Sequence, residues 1–152
     1  MDNAFLKELI DRYEQATFTV EKKLDAMFRE VMPNALTIDQ YATLRYIRRH
    51  SRPTSSELAE AFCVGRSSIT AIINRLFDKQ LIRRIPDEKD RRVIYLALTE
   101  EGMRLSDEMI VLMQQVLEKI LVQFEEQEAI TFITTYEKLA SVLEQTEERG
   151  RK

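Results

Sequence analysis

Asp87-Glu88-Lys89-Asp90-Arg91-Arg92-Val93-Ile94-Tyr95-Leu96-Ala97-Leu98-Thr99 is a charged loop that runs directly into an alternating apolar strand. Arg83 and Arg84 lie on the incoming side, and Lys89, Arg91 and Arg92 stand at or just after the tip. Val93, Tyr95 and Ala97 alternate with Ile94, Leu96 and Leu98, a period of two that predicts a strand with one buried and one open face. The stretch reads as a hairpin arm, a wing. Cations carried on such an arm can follow a phosphate backbone or enter a narrow minor groove, where the negative potential is strongest. Its chemistry points to DNA.

Upstream, Thr54 to Gln80 reads as two short helices joined by a tight turn. Thr54-Ser55-Ser56-Glu57 has the spacing of a capping box, in which the hydroxyl accepts from an early helical amide and the acid three residues on reaches back. Leu58, Ala59 and Phe62 give that helix its inner face. Cys63-Val64-Gly65 then breaks it, with the glycine expected to take the left-handed conformation of the turn. The second helix is expected from about Arg66 to Lys79. Ile69, Ile72, Ile73 and Leu76 form one apolar stripe, which leaves Ser67, Ala71 and Asn74 on the opposite face, flanked by Thr70 and Arg75. Small polar side chains on the first turns of a helix suit close approach to a major groove, where Ser, Thr and Asn can bond base edges or phosphates.

Ser56-Glu57-Leu58-Ala59, the helix Arg66-Ser67-Ser68-Ile69-Thr70 through Asn74-Arg75-Leu76, and Leu81-Ile82-Arg83-Arg84 entering the wing resemble the multiple-antibiotic-resistance regulator (MarR) family. The family's hairpin pattern, an Asp, an Arg two later, then Leu-x-Leu-Thr, is met by Asp90, Arg92, Leu96, Leu98 and Thr99. The resemblance runs in order over nearly the whole chain. Gln80 departs from it, standing where many members carry glycine before the Leu-Ile pair. The resemblance implies a homodimeric winged helix-turn-helix transcription regulator on a pseudo-palindromic operator, often released by a small molecule or by oxidation. It also implies that Asp90 braces the hairpin through Arg92 and that the terminal helices dimerise.

The chain has 152 residues, the size of a single domain. Three Gly and three Pro leave little room for linkers, and 44% hydrophobic content argues against disorder. No apolar run approaches membrane-spanning length, and Met1-Asp2-Asn3 lacks signal-peptide architecture, so a cytoplasmic location without membrane attachment is expected. A net charge of −3 conceals an asymmetry: Arg45 to Arg92 holds twelve cations and six acids, a net of +6 that leaves −9 for the rest. A basic middle between acidic ends is the footprint of one face docking on phosphate.

The ends read as long helices. From Ala4 to about Val31, Phe5, Leu9, Tyr13, Ala16, Val20, Leu24, Met27, Phe28 and Val31 recur at threes and fours. Thr37-Ile38-Asp39-Gln40 is a second capping box, opening the helix of Tyr41, Leu44 and Ile47. Thr99 is the expected N-cap of a helix bearing Leu105, Met109, Leu112, Met113, Val116 and Leu117, and another is expected from about Gln127 to Glu147 with Ile130, Ile133, Tyr136, Leu139 and Leu143. These faces carry more apolar surface than one small winged-helix core can cover, which predicts a homodimer. A twofold pair would set two recognition helices one DNA turn, about 34 Å, apart.

The expected fold is therefore mainly α with a small β-hairpin: one domain over 1–152, with dimerisation helices at about 1–32 and 100–148 and a winged helix-turn-helix region at about 37–99. The expected DNA-binding residues are Ser67, Ser68, Thr70, Asn74 and Arg75 in the major groove, and Arg84, Lys89, Arg91 and Arg92 on backbone and minor groove. Thr54 and Ser55 are expected to donate to phosphate. Arg91 is the preferred minor-groove residue. The expected partners are double-stranded DNA, a second copy of the chain and a small-molecule effector, with repression favoured over activation. Cys63 reads as a small buried hydrophobe, with a redox sensor as the alternative; Met103, Met109 and Met113 read as dimer core, with an effector pocket as the alternative. His50, the one histidine, sits near a helix C-terminus. With one cysteine, no phosphate-cradling glycine loop, no nucleophile elbow and no ligand spacing, neither a cofactor, a metal nor an enzyme is expected. The rival reading is a winged-helix module that binds protein instead of an operator.

Overall fold

A computed structural model describes residues 2–33 and 36–150. Met1 and the last two residues of the expected 1–152 domain lie outside that range. The order of elements is α1 (Asn3–Val31), α2 (Ile38–Arg49), α3 (Ser55–Ala61), α4 (Arg66–Asp78), β1 (Ile82–Pro86), β2 (Ile94–Leu98), α5 (Glu100–Leu121) and α6 (Glu126–Gly150). Long helices and one hairpin match the mainly α expectation.

The two capping boxes form where the sequence places them. Thr37 and Thr54 accept from the amides of Gln40 and Glu57, and those side chains accept from the threonine amides in return. Thr99 caps α5 by accepting from the Gly102 amide at 3.0 Å, while its own hydroxyl donates to the Gln80 carbonyl at 2.6 Å. Gly102 is needed at this corner, since a Cβ there would overlap the Leu81 carbonyl oxygen.

The helix ends differ from expectation. At the end of α3 the Val64 amide donates to Ala59 and the Cys63 amide to Glu60, the paired bonds of a Schellman turn. The left-handed residue is Cys63, with φ 52, and not Gly65, which has φ −69 and is the N-cap of α4. Counting back from the turn bonds explains this: Cys63, and not Gly65, is the first residue beyond the α3 cap. At the end of α4 the same pattern recurs, with Leu81 donating to Leu76, Gln80 to Phe77, and Gln80 at φ 58. That backbone angle is why glycine suits this position.

The chain divides into two compact units, Met1–Met113 and Gln114–Lys152. In the first, Leu44, Leu58, Ile69, Leu76, Ile82, Leu96 and Met109 make the buried centre together with Met32, just past α1, and Phe28 and Val31 from the end of α1 pack against it. Met109 and Met113 belong to this core, which corrects their reading as dimer residues; Met103 is exposed and accepts from Arg48 through its carbonyl and sulfur. The two strands pair antiparallel with Arg84 opposite Leu96 and Ile85 opposite Tyr95. Only Leu96 of β2 is fully buried, so the predicted two-faced alternation is softened: no second layer covers a hairpin that stands at the edge of the core. In the second unit, Phe124, Phe132 and Tyr136 form a stacked aromatic row, with centroids 6.4 and 5.7 Å apart.

Candidate nucleic-acid interface

The site is built on α3, α4 and the wing, all within the first unit. Ile69, Ile73 and Leu76 anchor α4 in the core, which turns Ser67, Ser68, Thr70, Ala71, Asn74 and Arg75 to the outside, every one exposed. Hydrophobic periodicity alone thus fixes which face of α4 a partner can reach. Thr70 donates its hydroxyl hydrogen back to the Arg66 carbonyl at 2.6 Å, which leaves its oxygen as an acceptor.

A contact that periodicity did not reveal ties the wing to α3. The Leu96 amide donates to the Pro53 carbonyl at 2.8 Å, and Thr54 bridges antiparallel to Tyr95. The segment entering α3 therefore adds a short third rung to the hairpin and fixes the wing relative to the helices. Nothing local in the sequence announces it, because the partners are some forty residues apart.

The wing tip is organised by its acids. Asp87 Oδ1 accepts from the amides of Lys89 and Asp90 at 2.8 and 2.9 Å, and its other oxygen accepts from the Tyr95 hydroxyl at 3.2 Å. Asp90 takes the Arg92 guanidinium at both oxygens, each 3.0 Å away, as well as the Arg92 amide. The two amides hold the Asp87 carboxyl below its usual range, Arg92 does the same for Asp90, and the Asp87 carboxylate pushes the Tyr95 phenol up. Negative charges here shape the turn that presents Lys89 and Arg91, both exposed.

The expected contacts do not all stand equally ready. Arg92 is committed to Asp90, and the Thr54 hydroxyl donates to the Glu57 carboxylate at 3.2 Å instead of facing outward. Ser55 is exposed in the first turn of α3, one residue after the Thr54 of the capping box. Arg84 donates to Asn74 Oδ1 at 2.6 Å, so two expected DNA contacts bind one another. Sequence reasoning missed this link and Phe77 beneath it, whose ring lies 4.4 Å from the Arg84 guanidinium carbon. Cys63 is exposed, which overturns its reading as a buried hydrophobe: the left-handed turn carries its side chain away from the core. His50 caps α2 and stacks on Tyr46 at 3.8 Å.

Beside the end of α4, an open depression is lined by Lys79, Gln80, Thr99, Glu100, Glu101 and Arg104. Three of its four charged side chains are engaged internally: Arg104 spans Glu101 and Glu108, and Lys79 donates to Gln40. Among the described residues no cluster of His, Cys, Asp and Glu could hold a metal ion, and no helix is long and apolar enough to cross a membrane.

A helix with a buried stripe and an open polar face, beside a hairpin tipped by lysine and arginine, defines a winged helix-turn-helix protein. The MarR family model matches residues 36–94, which run from the end of the first loop to the start of β2. The chain is 30% identical over 147 residues to the HTH-type transcriptional repressor MdtR of Bacillus subtilis, covering 91% of this chain and 95% of that one. It belongs to the MarR family of DNA-binding transcription regulators. The crystal structure of YusO from Bacillus subtilis superposes with a TM-score of 0.65 at 30% identity, over 93% of this chain and 99% of that one. Bordetella bronchiseptica BpsR, whose structure is described as a mechanism for regulation of DNA binding by 6-hydroxynicotinic acid, shares the fold, with a TM-score of 0.75 at 20% identity over 85% and 98% of the two chains.

Proposed function

We propose that the protein is a cytoplasmic homodimeric repressor that occupies a pseudo-palindromic duplex operator and releases it when a small molecule binds. The observation that carries the DNA-binding half is the exposed Ser67–Arg75 face of α4 standing in the same unit as the Arg91 wing tip. In this reading Ser67, Ser68, Thr70, Asn74 and Arg75 enter the major groove, and Arg91 enters the minor groove with Lys89 beside it. Arg92 adds positive charge at the backbone while Asp90 keeps the tip in shape, and Ser55 lies near a phosphate. Exposed apolar rows on α1 and α6 support the homodimer. Repression is supported by the description of MdtR as a transcriptional repressor, and control by a small molecule by the regulation of DNA binding described for BpsR.

Selection of bound fragments from genomic DNA, followed by salt titration of the selected duplex, tests the reading. Binding that weakens steeply with salt is expected, and Arg91→Ala should lower the slope of log K against log salt by about one. An unchanged slope removes Arg91 from the contacts. Sedimentation at micromolar concentration should give twice the chain mass of 17.9 kDa; a species of the single mass alone refutes the dimer.

A further inference from the structure

Asn74 lies on the exposed face of α4, and Arg84 lies on β1 of the wing. Arg84 donates to Asn74 Oδ1 at 2.6 Å, and its guanidinium carbon sits 4.4 Å from the centre of the Phe77 ring. Phe77 follows Asn74 by three residues on the same helix side, so ring, guanidinium and carboxamide form one assembly. The orientation of the carboxamide follows from chemistry: a guanidinium has five donors and no acceptor, so the oxygen of Asn74 must face it and the amide hydrogens must face elsewhere. Phe77 presents its ring to the flat cation, a stacked contact that a compact ammonium does not reproduce.

We propose that Arg84 is a specificity-determining positioning residue, which takes the carboxamide oxygen of Asn74 and leaves its amide hydrogens to read an acceptor edge, guanine O6 and N7 or thymine O4. This rests on the reading above, in which α4 occupies the major groove. An unencumbered asparagine pairs with adenine by donating to N7 while accepting from N6, and so needs both ends of the carboxamide. Here a cation draws density from the oxygen through a short bond, which makes it a poor second acceptor and its amide hydrogens stronger donors. A simple phosphate contact by Arg84 would instead act on every sequence alike and add to the salt dependence.

Selection from a randomised duplex pool with the full chain, compared among wild type, Asn74→Ala and Arg84→Met, separates the two. Wild type should enrich guanine or thymine at one position per half-site, and Asn74→Ala should relax that position alone. Arg84→Met removes the donors but keeps an apolar stem over Phe77; it should raise adenine at the same position by about tenfold relative to guanine, with the salt slope unchanged. The proposal fails if Arg84→Met selects the wild-type sequence with uniformly weaker binding and a slope lower by about one. It also fails if wild type already prefers adenine at that position, or if Asn74→Ala leaves the selected sequence unaltered. Wild type that selects no duplex at all overturns the proposed function together with this role.

Discussion

Leu44, Leu58, Ile69 and Leu76 are sealed inside the unit of residues 1–113, whereas Phe5 of α1 remains 49% exposed and Tyr136 of α6 64% exposed. Each belongs to an apolar row that recurs at threes and fours within its own helix. The same periodicity therefore reports a demand for burial and is silent on what satisfies it: for α2 to α4 the answer is the chain's own core, while no residue of α1 is buried within the chain. Leaving several large apolar side chains in water costs about 1.5 to 3 kcal/mol each relative to burial. That cost is the physical argument for a second copy covering the terminal helices.

The contrast is broken most directly by substituting one residue from each region. Leu76→Ala, at a site with no exposed surface, should cost about 2 to 5 kcal/mol in urea unfolding, whatever the protein concentration. Ile133→Glu on α6 should instead shift the sedimentation mass toward the single chain and remove the dependence of the melting temperature on protein concentration that a dimer shows. If Ile133→Glu lowers the melting temperature but leaves the sedimentation mass at twice that of the chain, the terminal helix is not an association surface.

A smaller effect is expected at the corner joining the wing to α5. Gly102→Ala places a methyl group against the Leu81 carbonyl, and about 1 to 3 kcal/mol should be lost as α5 moves off β1. Equal stability of variant and wild type in chemical denaturation would refute the close approach. Gln80→Gly works in the opposite direction, because φ 58 suits glycine; a gain of up to about 1 kcal/mol is expected, and a loss of that size would contradict the left-handed turn.

The slightest effect should come from pH. Asp87 and Asp90 are held below the ordinary value of 3.8, by the Asp90 and Lys89 amides and by Arg92 respectively. Depressed carboxyls contribute order that is fully present above that value and is lost as pH falls through their lower folded values. The amide resonances of Lys89, Asp90 and Arg92 should accordingly keep their positions down to about pH 4 and move only below it. Movement complete by pH 5 would mean that the tip is not organised by these carboxylates.

Much of the interface was legible in the sequence. The wing, both capping boxes, the buried stripe of α4 and the cation-rich middle are read correctly from residue order, because each depends on neighbours within a few positions. Cys63 and Gly65 mark where that reading stops: glycine is the residue best suited to a left-handed turn, but the position that needs one is set by where α3 runs out of hydrogen bonds. Met109 and Met113 have the spacing of an association surface and fill the protomer's own core instead.

What the residues determine unaided is local: where helices begin, which face of each is apolar, where a hairpin turns and where its charges gather. Capping, alternation and helical stripes act over a single turn or strand pair, so they survive without knowledge of the rest. What the tertiary structure alone decided is which distant groups meet. Arg84 closing on Asn74 over Phe77, Leu96 bonding Pro53 and Gly102 passing Leu81 join segments whose approach depends on the packing of the whole unit. Such contacts leave no local trace, because the enthalpy of a hydrogen bond or the overlap of a methyl group is felt only once the fold has brought both partners within a few ångströms.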